Sequence, residues 1–255
     1  CRYPPRPGRA EWTFFTSDGE TASEAQTGGT LSCMNQHTGA GNFAEQERSR
    51  VEAELADALA WLHKHGLPHG NLRPCNVLLE DDAESSIRLA DVAQGWVGGI
   101  HHLELTDHYI HLCPDQIENP DGVFAGYGAS WDVYAFGVIA YRLLTGQFPR
   151  GGRAWAEQVA LVQQKAAAGL AYGIDSMALL QAVRAQPKVT WPSSAQSKWD
   201  ERRRSIIERA LDLNATARWS DVREVVREFE VLESDYLLEE SRDQTVQERK
   251  KQALK

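Results

Sequence analysis

Residues Trp131 to Thr145 read as a helix that is apolar nearly all round: Val133, Tyr134, Ala135, Phe136, Val138, Ile139, Ala140, Leu143 and Leu144 leave no polar face. Such a helix has to be enclosed by other elements, so the chain is expected to fold around it. The run from Val133 to Leu144 is too short to span a bilayer, and Arg142 interrupts it, so no transmembrane helix is expected. A chain of 255 residues with 42% hydrophobic and 25% charged residues can bury one sizeable core, as one domain with or without appendages. The net charge of -9 and the pI near 5.4 speak against a general nucleic-acid binder, which needs a basic surface, and leave at most a local basic patch. Cys1, Cys33, Cys75 and Cys113 lack the paired spacing of a zinc site or a dense disulfide framework, so a reducing, cytoplasmic setting is expected. The sequence opens with Cys1 and no charged-then-apolar leader, which suggests a fragment or a removed upstream part.

Residues 1 to 43 are rich in Gly, Pro, Ser and Thr, and only Trp12 to Thr16 has strand character before the turn Ser17-Asp18-Gly19. From Ala44 the pattern changes. Val51, Leu55, Leu59 and Leu62 recur on one helical face, and Gly66 stands where such a helix stops. Val77-Leu78-Leu79 and Ile87-Arg88-Leu89, separated by Glu80-Asp81-Asp82, predict a small hairpin. Residues 94 to 130 lack periodicity and predict a long loop, a length that is usually functional or disordered. Beyond the central helix, further helices are expected over Ala154–Ala168, Ser176–Ala185, Lys198–Leu211 and Ser220–Glu233, the last with Ser220 as its cap. The stretch 234–255 is charged in both signs, which suits either a solvated helix or disorder.

The block His69-Gly70-Asn71-Leu72-Arg73-Pro74-Cys75-Asn76, with its apolar strand, is followed twelve residues after Leu79 by Asp91-Val92-Ala93. Cys113-Pro114-Asp115-Gln116 and Trp131-Asp132-Val133-Tyr134-Ala135-Phe136-Gly137 come next, and Arg218 follows Ala210-Leu211-Asp212-Leu213-Asn214. In order and spacing these resemble the large lobe of a Ser/Thr-type protein kinase: the catalytic loop, the Asp-Phe-Gly triplet, the Ala-Pro-Glu triplet, the central helix and a late arginine. The resemblance covers about residues 20 to 232. It implies a mainly α (α+β) kinase-like fold with a helical C-terminal lobe, a small β-hairpin and a remnant of the N-terminal lobe. The expected organisation is 1–19 as the remnant strand and hinge, 20–233 as the C-lobe and 234–255 as a charged tail.

The departures from the family pattern are chemical. The loop aspartate that accepts the substrate proton in the family is Asn71 here, and an amide cannot serve as a carboxylate base at neutral pH. Loss of general-base catalysis typically costs on the order of 10²-fold or more. The family's switch arginine is Gly70, so ordering of the site by activation-loop phosphorylation should be absent. Arg73 replaces the lysine beside the transferred phosphate, keeping the charge and changing its geometry. Asn76 and Asp91 remain as the magnesium ligands that the resemblance implies, as hard oxygen donors that would hold Mg-ATP. Val92-Ala93 after Asp91 removes the glycine that lets this segment swing, which fixes the aspartate in one position.

A phosphate-binding lysine must precede the large lobe, yet the first lysine is Lys64, inside the helix before the loop. Gly39-Ala40-Gly41-Asn42-Phe43 imitates part of a glycine-rich loop but is read as a linker, and Gly28-Gly29-Thr30-Leu31 as the opening of the large lobe. By resemblance His69 packs within the loop, Asp132 accepts backbone N–H groups of the loop, and Asp115 pairs with Arg218. His101, His102, His108 and His111 lack ligand spacing, so a metal cluster is not expected there. Thr106 is a candidate phosphorylation site, though a solvated loop threonine is the default, and Trp61, Trp131 and Trp219 are core candidates. The leading expectation is a pseudokinase-like domain that binds a protein partner as a scaffold or allosteric partner, without nucleic acid and with Mg-ATP binding weak or absent. The alternative is a truncated piece of a divergent Ser/Thr protein kinase acting on protein hydroxyls. A small-molecule kinase of the same superfamily ranks below both.

Overall fold

The computed structural model describes residues 45–79, 87–92, 109–170 and 173–253. The expectations for Trp12–Thr16, Gly28–Leu31, Gly39–Phe43, His101, His102, Thr106 and His108 lie outside these residues. Among the described residues the chain is mostly helical, with one two-stranded antiparallel sheet. Helix α1 spans Glu45–Lys64, and strands β1 (Val77–Leu79) and β2 (Ile87–Leu89) pair in the register Val77 with Leu89 and Leu79 with Ile87. The other helices are α2 (Pro114–Glu118), α3 (Gly128–Thr145), α4 (Gly152–Ala167), α5 (Ser176–Arg184), α6 (Lys198–Ala210) and α7 (Val222–Ala253).

Helix α3 is the enclosed element that the apolar run requires. Fourteen of its residues are buried, and α1, α6 and α7 pack against it. It starts at Gly128, three residues before the apolar run, because Gly128-Ala129-Ser130 supply a first turn that hydrophobicity does not mark. At Gly137 the packing with α6 is closest: a Cβ there would stand 3.0 Å from the side chain of Leu211 and 3.2 Å from that of Ala210. Val51, Leu55, Leu59 and Leu62 of α1 are all at most 1% exposed, as their spacing predicts. Helix α1 ends where expected: Gly66 takes a left-handed φ of 71°, while the N–H groups of Gly66 and Leu67 donate to the carbonyls of His63 and Leu62. These two bonds close the last turn in a Schellman arrangement.

Three helix starts depend on side chains, the first being α5, where Asp175 Oδ1 accepts the Ala178 N–H at 2.9 Å. Ser197 and Asp200 form a reciprocal capping box on α6. At α7 the cap is Asp221, one residue later than the serine expected from sequence: Asp221 Oδ1 accepts from the Arg223 N–H at 2.8 Å. Ser220 instead donates its hydroxyl to Glu224 at 2.9 Å. Residues 234–253 continue α7 as helix, so one element of 32 residues runs from the core outward. Short 3-10 turns at Tyr109–His111 and Pro120–Ala125 flank α2, dividing the described part of the stretch expected as loop.

Polar clamps join the helices. Arg150, 4% exposed, donates to the carbonyls of Leu211 and Gln186 at 2.7 Å and of Pro187 at 3.1 Å. Arg203 of α6 pairs with the buried Glu52 of α1. The expected Asp115–Arg218 pair is present at 2.8 Å, and Arg218 also donates to the carbonyls of Ser130 and Asp212. The shorter aspartate still reaches two partners, because Trp131 Nε1 donates to its second oxygen at 2.8 Å. Trp131 and Trp219 are buried and Trp61 packs against the core, as expected. Asp115→Ala leaves the Arg218 guanidinium buried without its counter-charge. Urea unfolding should show a loss of about 3 kcal/mol, whereas Arg153→Ala, at an exposed pair, should leave the midpoint nearly unchanged.

Candidate functional site

The loop between α1 and β1 is anchored from below by one carboxylate of α3. Asp132, 1% exposed, accepts the His69 N–H at 2.5 Å and the His63 Nε2 at 3.0 Å on Oδ2, and the Gly70 N–H at 2.8 Å on Oδ1. The expected role of Asp132 is thus present, and His63 adds a partner that the sequence reading did not single out. Its other nitrogen, Nδ1, lies 3.3 Å from Asp221 Oδ1, so one imidazole bridges α3 and the cap of α7. Burial disfavours the charged ring, but the hydrogen bonds and charges of Asp132 and Asp221 outweigh it and push the pKa up to about 9. Burial likewise disfavours the charged form of Asp221, yet hydrogen bonds from His63 and Arg223 hold its carboxyl well below the usual range.

Above this anchor the loop backbone is fixed residue by residue. Gly70 has a φ of 70°, a left-handed conformation that a residue with a Cβ adopts only under strain, so glycine relaxes the position where the family pattern has arginine. Its carbonyl accepts from Gln116 Nε2 of α2 at 3.0 Å, a link between the loop and the Pro114 segment that the sequence reading missed. His69 is fully buried and accepts the Asn71 N–H on Nδ1 at 3.3 Å; burial lowers its pKa, which keeps the ring neutral. Arg73, 6% exposed, takes the extended conformation that a residue before proline prefers. Asn76 donates Nδ2 to the carbonyl of Asn71 at 2.8 Å and is 3% exposed.

Asn71 stands where the kinase resemblance implies the loop carboxylate. Asn71 is 0% exposed, and neither Oδ1 nor Nδ2 has a hydrogen-bond partner. A buried amide without partners is costly, and none of its own atoms can take a proton at neutral pH. Asp91 lies just past β2, where the Ala90 N–H donates to the Asn76 carbonyl at 2.9 Å, so the backbone brings the two candidate magnesium ligands to the same end of the hairpin. Asp91 is half-buried with a φ of 57°, the one positive φ outside glycine among the described residues. Aspartate tolerates that conformation better than most residues, and such strain concentrates at functional positions. The donor set is two side-chain oxygens. No group of three His, Cys, Asp or Glu residues among the described residues could hold a metal alone, so magnesium here would depend on phosphate oxygens and water for the rest of its shell. His111 is buried, with Nε2 3.4 Å from Arg142 Nη1.

A family model described as protein kinase domain matches residues 20–236. The chain belongs to the protein kinase domain family. It is 30% identical over 129 residues to a probable myosin light chain kinase of Dictyostelium discoideum, covering 49% of this chain and 39% of that one. It is 30% identical over 113 residues to a probable serine/threonine-protein kinase of Bifidobacterium longum, covering 43% of this chain and 14% of the other. Against the phosphorylase b kinase gamma catalytic chain, liver/testis isoform, of Mus musculus, identity is 32% over 115 residues, covering 42% and 27%. The chain thus spans well under half the length of these relatives. A crystal structure of the Rad53 kinase domain and SCD2 in complex with AMPPNP aligns over 79% of this chain and 64% of that one, at 16% identity and a TM-score of 0.47. No helix among the described residues is long and apolar enough to cross a membrane.

The kinase domain carries a pH signature from its anchor. The folded His63 pKa lies above the unfolded value near 6.5, so its stabilisation is full below about pH 6.5 and lost as pH rises through about 9. The span is about 3 kcal/mol, and urea unfolding from pH 6 to 10 should show it in the wild type and a flatter profile in His63→Gln. Asn71 gives a second test. Asn71→Leu removes two unsatisfied buried polar atoms and should gain about 1 kcal/mol, whereas Asn71→Asp, which restores the family's carboxylate, should lose on the order of 3 kcal/mol at pH 7.

Proposed function

We propose that this protein kinase domain is pseudokinase-like and acts as a signalling scaffold or allosteric partner of another protein, with little or no phosphotransfer. The observation that carries the reading is the Asn71 amide at the base position, buried and without a hydrogen-bond partner. A hydroxyl substrate needs an acceptor for its proton as the new phosphate ester bond forms, and in this family the loop carboxylate is that acceptor. Gly70 also removes the cation through which a phosphorylated activation segment would order the loop.

A second reading, a truncated piece of a divergent Ser/Thr protein kinase that transfers the ATP γ-phosphate to protein hydroxyls, is favoured by Asn76 and Asp91. The two oxygen donors survive together at one end of the hairpin, and Arg73 keeps a cation in the loop. Phosphoryl transfer depends chiefly on positioning and charge stabilisation, so loss of the base alone would slow it without abolishing it.

Incubation with magnesium and labelled ATP, with mixed protein substrates, separates the two. The scaffold reading expects no incorporation above an Asp91→Ala control and no rise in thermal midpoint with Mg-ATP. Incorporation at ordinary kinase rates that Asp91→Ala abolishes would overturn it.

A further inference from the structure

Helix α7 leaves the core carrying a patterned stripe whose apolar residues are half exposed. Val222 and Val225 are fully buried, but Val231, Leu238 and Val246 are 50%, 52% and 48% exposed. At 100° per residue, positions 231, 235, 238, 242, 246, 249 and 253 fall within about 80° of arc, one narrow face along about 34 Å of helix. The residues are Val231, Asp235, Leu238, Arg242, Val246, Arg249 and Ala253, and their spacings, four-three-four on either side of Arg242, read the same in both directions.

That symmetry selects an occupant. When a second α7 is laid antiparallel with the two-fold axis at Arg242, position 231 of one copy faces 253 of the other, 235 faces 249, and 238 faces 246. Leu238 meets Val246 and Asp235 meets Arg249, each twice over by symmetry. A parallel arrangement would instead set Asp235 against Asp235 and Arg249 against Arg249. We infer that the exposed stripe of α7 is the pairing surface for a second copy of this chain, joined as an antiparallel two-fold helix pair.

The surroundings agree with this geometry. The stripe itself meets α6 at Asp235, which pairs with Arg202 at 2.9 Å, and the adjoining side of α7 is seated on α6 through Lys198 with Glu239 and the edge-on rings of Trp199 and Tyr236 at 5.5 Å. Asp235 remains half exposed while holding Arg202, so its carboxylate can accept from a second guanidinium. The pairing also answers a physical difficulty, since a largely polar helical extension is marginal in water unless something packs on it. Charge runs the same way: Glu228, Glu230, Glu233, Asp235, Glu239, Glu240 and Asp243 make the middle of α7 acidic, and Arg249-Lys250-Lys251 make its end basic. Antiparallel pairing lays each basic end along the other copy's acidic middle. Arg242 faces its own symmetry mate in either orientation, a like-charge contact that costs affinity equally in both.

Sedimentation equilibrium on the full chain tests the pairing. The wild type should show a reversible monomer–dimer equilibrium, and Leu238→Glu should be monomeric with an unchanged thermal midpoint. Arg249→Asp should weaken the dimer by about tenfold or more, and Asp235→Arg combined with Arg249→Asp should restore it to within about threefold. The lost Arg202 contact in the double variant is an exposed pair and costs little. A wild type that stays monomeric into the hundred-micromolar range, whether the face is bare or taken by another protein, would overturn the inference. So would a double variant no tighter than Arg249→Asp alone, the result that parallel pairing gives.

Discussion

The carboxylate of Asp132 is the constraint on which the described fold and site both depend. It sits near the start of the one helix enclosed by others, where water cannot satisfy it, and its oxygens take two backbone N–H groups and one imidazole. A buried carboxylate is tolerable only with such partners, so the loop's conformation and the helix's burial are mutually enforced. Because His63 also meets Asp221, the same cluster ties α1, α3 and α7 together at one point.

Much of the fold was legible in the sequence where periodicity and punctuation act locally. The enclosed helix, the buried face of α1, the glycine stop at Gly66 and the hairpin from Val77 to Leu89 all follow from residues a few positions apart. The start of α7 was misjudged by one residue because Ser220 and Asp221 are both good caps, and only the additional pull of His63 on Asp221 distinguishes them. The roles of Asp132 and of the Asp115–Arg218 pair followed from the kinase resemblance, not from spacing. His63, Gln116 and Arg150 carried no local signal at all. Their partners lie 69, 46 and 61 residues away, and a buried polar side chain declares its function only when the fold supplies the other atom.

The loop departs from the family pattern at neighbouring positions, Gly70 and Asn71, with opposite physical effects. Gly70 occupies a left-handed backbone position that arginine could hold only under strain, so the replacement removes strain together with a charge. Asn71 goes the other way, trading a carboxylate for an amide that is buried and unsatisfied, a residual cost in an otherwise well-bonded loop. Asp91 keeps a strained backbone. Relaxation at one position and strain at two others within one site describe a loop whose shape is still held by its neighbours.

Helix α7 has a mechanical consequence. Its cap residue Asp221 holds His63, which holds Asp132, which holds the backbone of the loop, while its far end stands about 48 Å away along an unbroken helix. The first turn of the longest helix and the backbone N–H groups of His69 and Gly70 thus share one buried polar cluster of three side chains, so a substitution at the cap of α7 is felt at the loop.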